Sequence, residues 1–154
     1  MSELKEGDIA PQFTAKDQNG NTVSLSDFSG KDVILYFYPK DDTPGCTTEA
    51  CNFRDNYQLL EQKGFTVIGV STDDEHSHQK FISKYQLPFT LISDTDKSIV
   101  EAYGVWIEKN MYGKKYMGTA RKTFIIDKNG TIKKIINKVD TSASSQQVLE
   151  VLNQ

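Results

Sequence analysis

The sequence predicts an α/β domain built on a mixed central sheet with helices on both faces. Six consecutive apolar or aromatic residues, Val33-Ile34-Leu35-Tyr36-Phe37-Tyr38, suit a strand buried on both faces. A helical pattern leads from them to a second branched run, Phe65-Thr66-Val67-Ile68-Gly69-Val70-Ser71, so the two strands are expected to be parallel and joined by a right-handed crossover. Two Asn-Gly pairs, Asn19-Gly20 and Asn129-Gly130, lie between short alternating runs and predict a hairpin near each end of the chain.

Phe13-Thr14-Ala15 and Thr22-Val23-Ser24-Leu25 form the arms of the first hairpin, and Ser26 to Lys31 reads as a loop or single turn before the buried strand. After that strand, Thr43 stands at a helix cap, Pro44 fits the first turn, and Gly45 lets the backbone crowd close. Ala50, Phe53, Tyr57 and Leu60 continue at three- and four-residue steps, which predicts one helix closed by Gly64. Asp73 or Asp74 caps the next helix, which carries Phe81, Ile82 and Tyr85 and stops at Pro88. Phe89 to Ile92 is a short extended piece, and Asp96 opens a brief helix through Ile99, Val100 and Tyr103 that Gly104 ends. Val105 to Gly118 has no clean periodicity and reads as a loop over the core. The second hairpin pairs Thr123 to Asp127 with Thr131 to Ile136, and a last helix runs from about Ser142 with Val148, Leu149 and Leu152 inward.

A chain of 154 residues with no internal repeats or linkers is expected to form one domain over 1–154, large enough to fold without metal or disulfide staples. A formal net charge of -3 gives no electrostatic case for nucleic acid. The amino-terminal stretch lacks the apolar run of a signal peptide, and no stretch is long enough to span a bilayer, so a cytoplasmic protein with no membrane partner is expected. In a reducing compartment, two cysteines suit a transient redox pair better than a standing disulfide.

Both cysteines lie in Pro39 to Cys51, where a buried strand becomes a helix and where open α/β sheets gather their ligands. Cys46 falls in the first turn of the helix. The unpaired amide hydrogens and aligned peptide dipoles there favour a thiolate, the nucleophilic form, over a thiol. Cys51 follows five residues later. On an intact helix that step separates the α-carbons by roughly 8.7 Å and turns the side chains about 140° apart. A disulfide needs α-carbons within about 7 Å, so pairing requires the first turns to unwind. Arg121 enters the strand of the second hairpin. It reads either as a guanidinium beside the thiolate or as an exposed hairpin arginine.

The competing chemistries fit less well. His76 and His78 could join the cysteines around zinc, but their His-x-His spacing on a helix splays the rings, and both histidines are expected in solvent. Asp94-Thr95-Asp96-Lys97-Ser98 lacks the glycine and final glutamate of a calcium loop and reads as a helix cap. Gly64 to Gly69 has phosphate-loop glycine spacing but Val70 in the lysine position. No metal site is expected from these residues.

With these residues in view, the chain resembles the peroxiredoxins, specifically the bacterioferritin comigratory protein or peroxiredoxin Q group. The residues that carry the likeness are Pro39-x-x-x-Thr43-x-x-Cys46, Thr43-Pro44-Gly45-Cys46-Thr47-x-Glu49-x-Cys51, Tyr103-Gly104-Val105-Trp106, Met111-Tyr112-Gly113 and Arg121-x-Thr123-Phe124-x-Ile126-Asp127. The resemblance implies a thioredoxin-like fold and an antioxidant thiol peroxidase that uses no metal or bound organic cofactor and acts on hydrogen peroxide and organic hydroperoxides. It implies that Cys46 attacks the peroxide and Cys51 resolves it, that Thr43 offers its hydroxyl, that Arg121 holds thiolate and substrate, that Pro39 shields the pocket and that Glu49 orients the arginine. Thioredoxin or a similar dithiol is the implied reductant. With no cysteine after Cys51, the disulfide would be internal and a monomer would complete the cycle. The alternative of another class is a thioredoxin-fold protein that binds partners through the Trp106 to Met117 loop without turning over peroxide.

Overall fold

The computed structural model describes residues 3–153. The elements run β1 (Thr14–Asp17), β2 (Thr22–Ser24), a 3-10 turn (Leu25–Phe28), β3 (Asp32–Phe37), α1 (Pro44–Asp55), α2 (Tyr57–Gln62), β4 (Phe65–Ser71), α3 (Glu75–Tyr85) and β5 (Thr90–Ser93). They continue α4 (Ser98–Ala102), β6 (Trp106–Met111), β7 (Lys114–Thr119), β8 (Lys122–Ile126), β9 (Ile132–Ile136) and α5 (Ser144–Leu152). No helix among the described residues is long and apolar enough to cross a membrane.

Seven strands make one mixed sheet in the order β2-β1-β5-β4-β3-β8-β9. β3, β4 and β5 are parallel, as the crossover rule requires, and the hairpin strands join them antiparallel on either side. The unbroken apolar run of β3 is explained by its two faces. Ile34, Tyr36 and the following Tyr38 pack with Cys46, Ala50 and Phe53 of α1, Leu60 of α2, Phe81 of α3 and Val148 of α5. Val33, Leu35 and Phe37 pack on the other face with Ile99 and Val100 of α4, Tyr103 and Phe124. Helices therefore cover both faces, but unequally, and α1 lies on the heavily covered side.

Four sequence expectations are corrected. The helix expected from Pro44 to Gly64 breaks at Asn56, whose φ and ψ of -107° and 7° leave the helical range. The Asn56 side chain donates to the Asn52 carbonyl at 2.8 Å, a local bond of the kind that competes with helix continuation. The loop expected over the core at Val105 to Gly118 is instead the β6–β7 hairpin, paired from Trp106↔Thr119 to Met111↔Lys114. Its two-residue turn, Tyr112-Gly113, has both φ angles positive at 54° and 82°, the geometry that matches strand twist. The alternation was unreadable because most of the hairpin is exposed on both faces, and Tyr112 is fully so.

His78, expected in solvent, is fully buried, whereas His76 is exposed. The helical period of α3 puts His78 on the inner face with Phe81, and its polarity is met by Asp41 and the Ile92 carbonyl. The brief helix expected to open at Asp96 starts at Ser98 behind a left-handed Lys97, and Asp94 takes the Ile99 and Val100 amides at 3.1 and 2.8 Å.

Gly69 sits in β4 between Tyr36 of β3 and Leu91 of β5, whose side chains close over the space a Cβ would need. An added Cβ would lie 2.7 Å from Leu91 Cδ2 and 2.9 Å from Tyr36 Cζ, both core atoms. Gly69→Ala is therefore expected to destabilise the protein by about 1–3 kcal/mol through overpacking, read as a lower urea midpoint at unchanged m-value. An unchanged midpoint would contradict this packing.

Candidate active site

The chain leaves β3 at its carboxyl end with Tyr38 N–H still donating to the Val70 carbonyl at 3.1 Å, then turns through 39–43 into α1. Asp42 takes a left-handed φ of 55° in this turn, and its carboxylate accepts from Lys84 Nζ at 2.8 Å and Tyr85 OH at 2.6 Å. Those two bonds hold its carboxyl below the ordinary carboxylate range. Thr43 is the N-cap residue and its carbonyl accepts the first helical bond, from Thr47 N–H at 2.8 Å. Its hydroxyl does not cap the helix; it donates to the Lys40 carbonyl at 2.8 Å. Pro44 occupies the first turn, where its missing N–H is no loss.

Cys46 lies in that first turn, buried to 2% exposure. The β3–β8 register pairs Phe37 with Lys122 and so carries Arg121 to the end of β3 and over α1. Arg121 Nη2 donates to Cys46 Sγ at 3.3 Å, and Nη1 donates to Glu49 Oε1 at 3.0 Å. Of the two sequence alternatives for Arg121, the structure takes the one beside the cysteine. Glu49 is one helical turn beyond Cys46, so both face the same guanidinium. Gly45 leaves the room: an added Cβ there would stand 3.1 Å from Arg121 Nη2.

Glu49 is wholly buried. Burial pushes its carboxyl up, and Arg121 and the Ser144 hydroxyl, which donates to Oε2 at 3.0 Å, pull it back part of the way. For Arg121 burial opposes the charge, but Cys46 and Glu49 overcome it and hold the guanidinium protonated. Ser144 was not singled out in the sequence; its only signal was a run of small polar residues before the last helix, which reads as a helix start. Lys109 of β6 is half-buried within electrostatic reach of the group, and burial with the neighbouring Arg121 pushes its ammonium down.

The remaining expected residues stand apart. Pro39 is half-buried at the start of the turn. Cys51 is a half-buried free thiol on α1, in a surface hollow with Thr47, Thr48, Asn52, Asp55 and Ser142. Both cysteines sit on the continuous helix Pro44–Asp55, at the five-residue step that keeps them apart. Asn52 ties that helix to α5, donating to the Ser142 carbonyl and accepting from Ser145 N–H at 3.0 and 2.8 Å.

The model of the AhpC/TSA family matches residues 7–135 of this chain. The chain belongs to that family. Among curated AhpC/TSA relatives it is similar to peroxiredoxin Bcp of Escherichia coli strain K12, 46% identical over 154 residues that cover 100% of this chain and 99% of the relative. It is 49% identical over 146 residues to a putative peroxiredoxin bcp of Coxiella burnetii, covering 95% and 97% of the two chains. Among solved structures it superposes on a Cys-to-Ser mutant of Xylella fastidiosa PrxQ with a TM-score of 0.92 and 33% identity, covering 99% and 98% of the chains. A structure of Xanthomonas campestris peroxiredoxin Q gives 0.85 and 35%, covering 92% and 90%. The fold is thus the thioredoxin-like α/β arrangement, and the AhpC/TSA chain is a thiol peroxidase of the Bcp/peroxiredoxin Q type carrying two cysteines.

Removing one partner of the buried pair should leave an uncompensated charge. Glu49→Ala is expected to cost about 3 kcal/mol of stability. Ser144→Ala, which removes one hydrogen bond, should cost about 1 kcal/mol. Urea unfolding of the reduced protein checks both, and a smaller loss for Glu49→Ala than for Ser144→Ala would contradict the arrangement.

Proposed function

We propose that this protein reduces hydrogen peroxide and organic hydroperoxides with Cys46 as the attacking thiolate and Cys51 as the resolving thiol, and is recycled by thioredoxin or a similar dithiol. The observation that carries the reading is the Arg121 guanidinium donating to Cys46 Sγ while Glu49 fixes its other edge. The Xanthomonas campestris bacterioferritin comigratory protein, 35% identical over 92% of this chain, has an alkyl peroxide reduction activity, which supports the organic half of the substrate range.

In the first step the Cys46 sulfur attacks the near oxygen of the peroxide. An S–O bond forms as the O–O bond breaks, and the departing oxygen leaves as water or an alcohol once protonated. Charge builds on that oxygen beside Arg121 and the amide hydrogens of the helix start, which lower the barrier because they are already in place. Gly45 serves the step by letting the guanidinium come close. Thr43 takes part once its hydroxyl turns from the Lys40 carbonyl toward the reacting oxygens, and Pro39 limits water at the turn.

In the second step the Cys51 thiol gives up its proton and its sulfur attacks the Cys46 sulfenic sulfur; an S–S bond forms as the S–O bond breaks, and the hydroxyl takes up a proton and departs as water. The helical separation of roughly 8.7 Å forbids this until the first turns of α1 open. Opening breaks the Arg121 bonds to Cys46 and Glu49, and it stops at Asn52 if the ties to α5 hold. A dithiol then reduces the disulfide by exchange.

Cys46→Ser should abolish thioredoxin-coupled peroxide consumption with the fold retained; unchanged consumption would sink the assignment. Cys51→Ser should give one turnover and then stall, and sustained turnover without Cys51 would defeat its role. Intact mass after one equivalent of peroxide should fall by about 2 Da from the reduced protein, the signature of an internal disulfide. Amide exchange over 44–51 should be faster in that oxidised form than in the reduced one.

A further inference from the structure

The turn that carries Pro39 and Thr43 into the Cys46 helix is fastened through Asp41, and Asp41 is fastened to a histidine that no step above uses. Asp41 is 7% exposed and His78 is wholly buried. Asp41 Oδ1 accepts from Tyr38 OH at 2.6 Å, and Oδ2 accepts from Ser77 Oγ at 2.8 Å and lies 2.6 Å from His78 Nδ1. The Asp41 amide donates to Asp73 Oδ2 at 2.8 Å, which also takes the Ser71 hydroxyl at 2.8 Å. On the far side of the ring, His78 Nε2 lies 2.9 Å from the Ile92 carbonyl oxygen.

This pattern counts protons. A carbonyl oxygen only accepts, so Nε2 must carry a hydrogen. Asp41 accepts the Tyr38 hydroxyl on one oxygen and the Ser77 hydroxyl on the other, and the same acceptor role toward the ring calls for a hydrogen on Nδ1 as well. A neutral imidazole has a single N–H, and the two bonds together call for an imidazolium. The groups that face the ring agree: Tyr38 beyond β3, Asp41 in the turn, Asp73 before α3, Ser77 on its own helix and the Ile92 carbonyl of β5 include two carboxylates and no cation. Burial alone would push the ring's proton off, and the Asp41 bond and charge outweigh it, so its titration lies above the ordinary histidine value.

We propose that His78 is held as a buried imidazolium that locks Asp41 and thereby positions the 39–43 turn and the Cys46 helix start for the peroxide step. The inference rests on the peroxidase reading above. His78 is a positioning residue, since it acts through Asp41 and touches no reacting atom. The sign follows from the raised titration. The contribution is complete below the unfolded value of about 6.5 and is lost as pH rises through the higher folded value. Above that value one ring nitrogen presents a lone pair to an oxygen, the clamp loses a charge-assisted bond, and the turn loosens.

Two measurements on the reduced, full-length protein test this: a nitrogen-proton NMR spectrum of the His78 ring, and the second-order rate constant of Cys46 oxidation by hydrogen peroxide against pH. The wild type should show two ring N–H protons at neutral pH and a rate constant that falls on the alkaline side with the same titration. His78→Asn puts an amide N–H where Nδ1 stood but cannot titrate. It should keep the neutral rate within about twofold and lack the alkaline fall. His78→Leu should lose about tenfold throughout. A single ring N–H at neutral pH, or an unchanged alkaline fall in His78→Asn, would overturn the proposal, and both readings stand even if His78→Leu does not fold. A wild type inert to peroxide would instead overturn the peroxidase reading and the positioning role with it, while the ring proton count would still decide the charge.

Discussion

The Arg121 guanidinium, shared between Cys46 Sγ and the Glu49 carboxylate, is the contact on which the arrangement of the site depends. A buried carboxylate is tolerable only when paired, and a guanidinium has the planar fork to hold one partner on each of two nitrogens. Glu49 thus fixes the cation that faces Cys46, and Ser144 satisfies the second carboxylate oxygen from α5. The sheet makes this possible. β8 runs antiparallel to β3 in a register that delivers Arg121 to the carboxyl end of the strand from which the cysteine turn departs. Gly45 adds nothing but space, and that space is occupied by Arg121.

The same helix sets a second constraint that works against the first. Folded α1 puts the first-turn sulfur against Arg121, and folded α1 keeps Cys51 on another side of the cylinder. In the proposed cycle each turnover exchanges the Arg121 bonds for a disulfide and restores them on reduction. The segment that opens is bracketed by firmer ground. Asp41 and Asp42 hold the turn before it to α3, and Asn52 and Phe53 hold the helix after it to α5 and the core. Local unfolding between two such anchors leaves the rest of the fold in place.

Most of the sheet was legible because burial imposes its pattern on the sequence. β3 and the following Tyr38 show six apolar or aromatic residues in a row because both faces of the strand are covered, and the two Asn-Gly hairpins show the residues their turns demand. The β6–β7 hairpin was illegible for the converse reason: with most of both faces in solvent, nothing enforces alternation. The break at Asn56 depends on one side-chain bond to a carbonyl, which periodicity does not report. Cys46 was placed by the strand-to-helix junction that puts it in a first helical turn, and Glu49 was singled out by the family resemblance alone, whereas the choice between the two readings of Arg121 needed the β3–β8 register. His78 and Ser144 were missed because a polar residue that finds its partners across the fold looks in sequence like a solvated one.

A crystal structure of the peroxide-oxidised protein tests most directly whether one helix serves two incompatible geometries. The account predicts a Cys46–Cys51 disulfide with α-carbons within about 7 Å, the first turns of α1 no longer helical, and Arg121 released from position 46. An oxidised protein with α1 intact and Cys51 still a free thiol would contradict it.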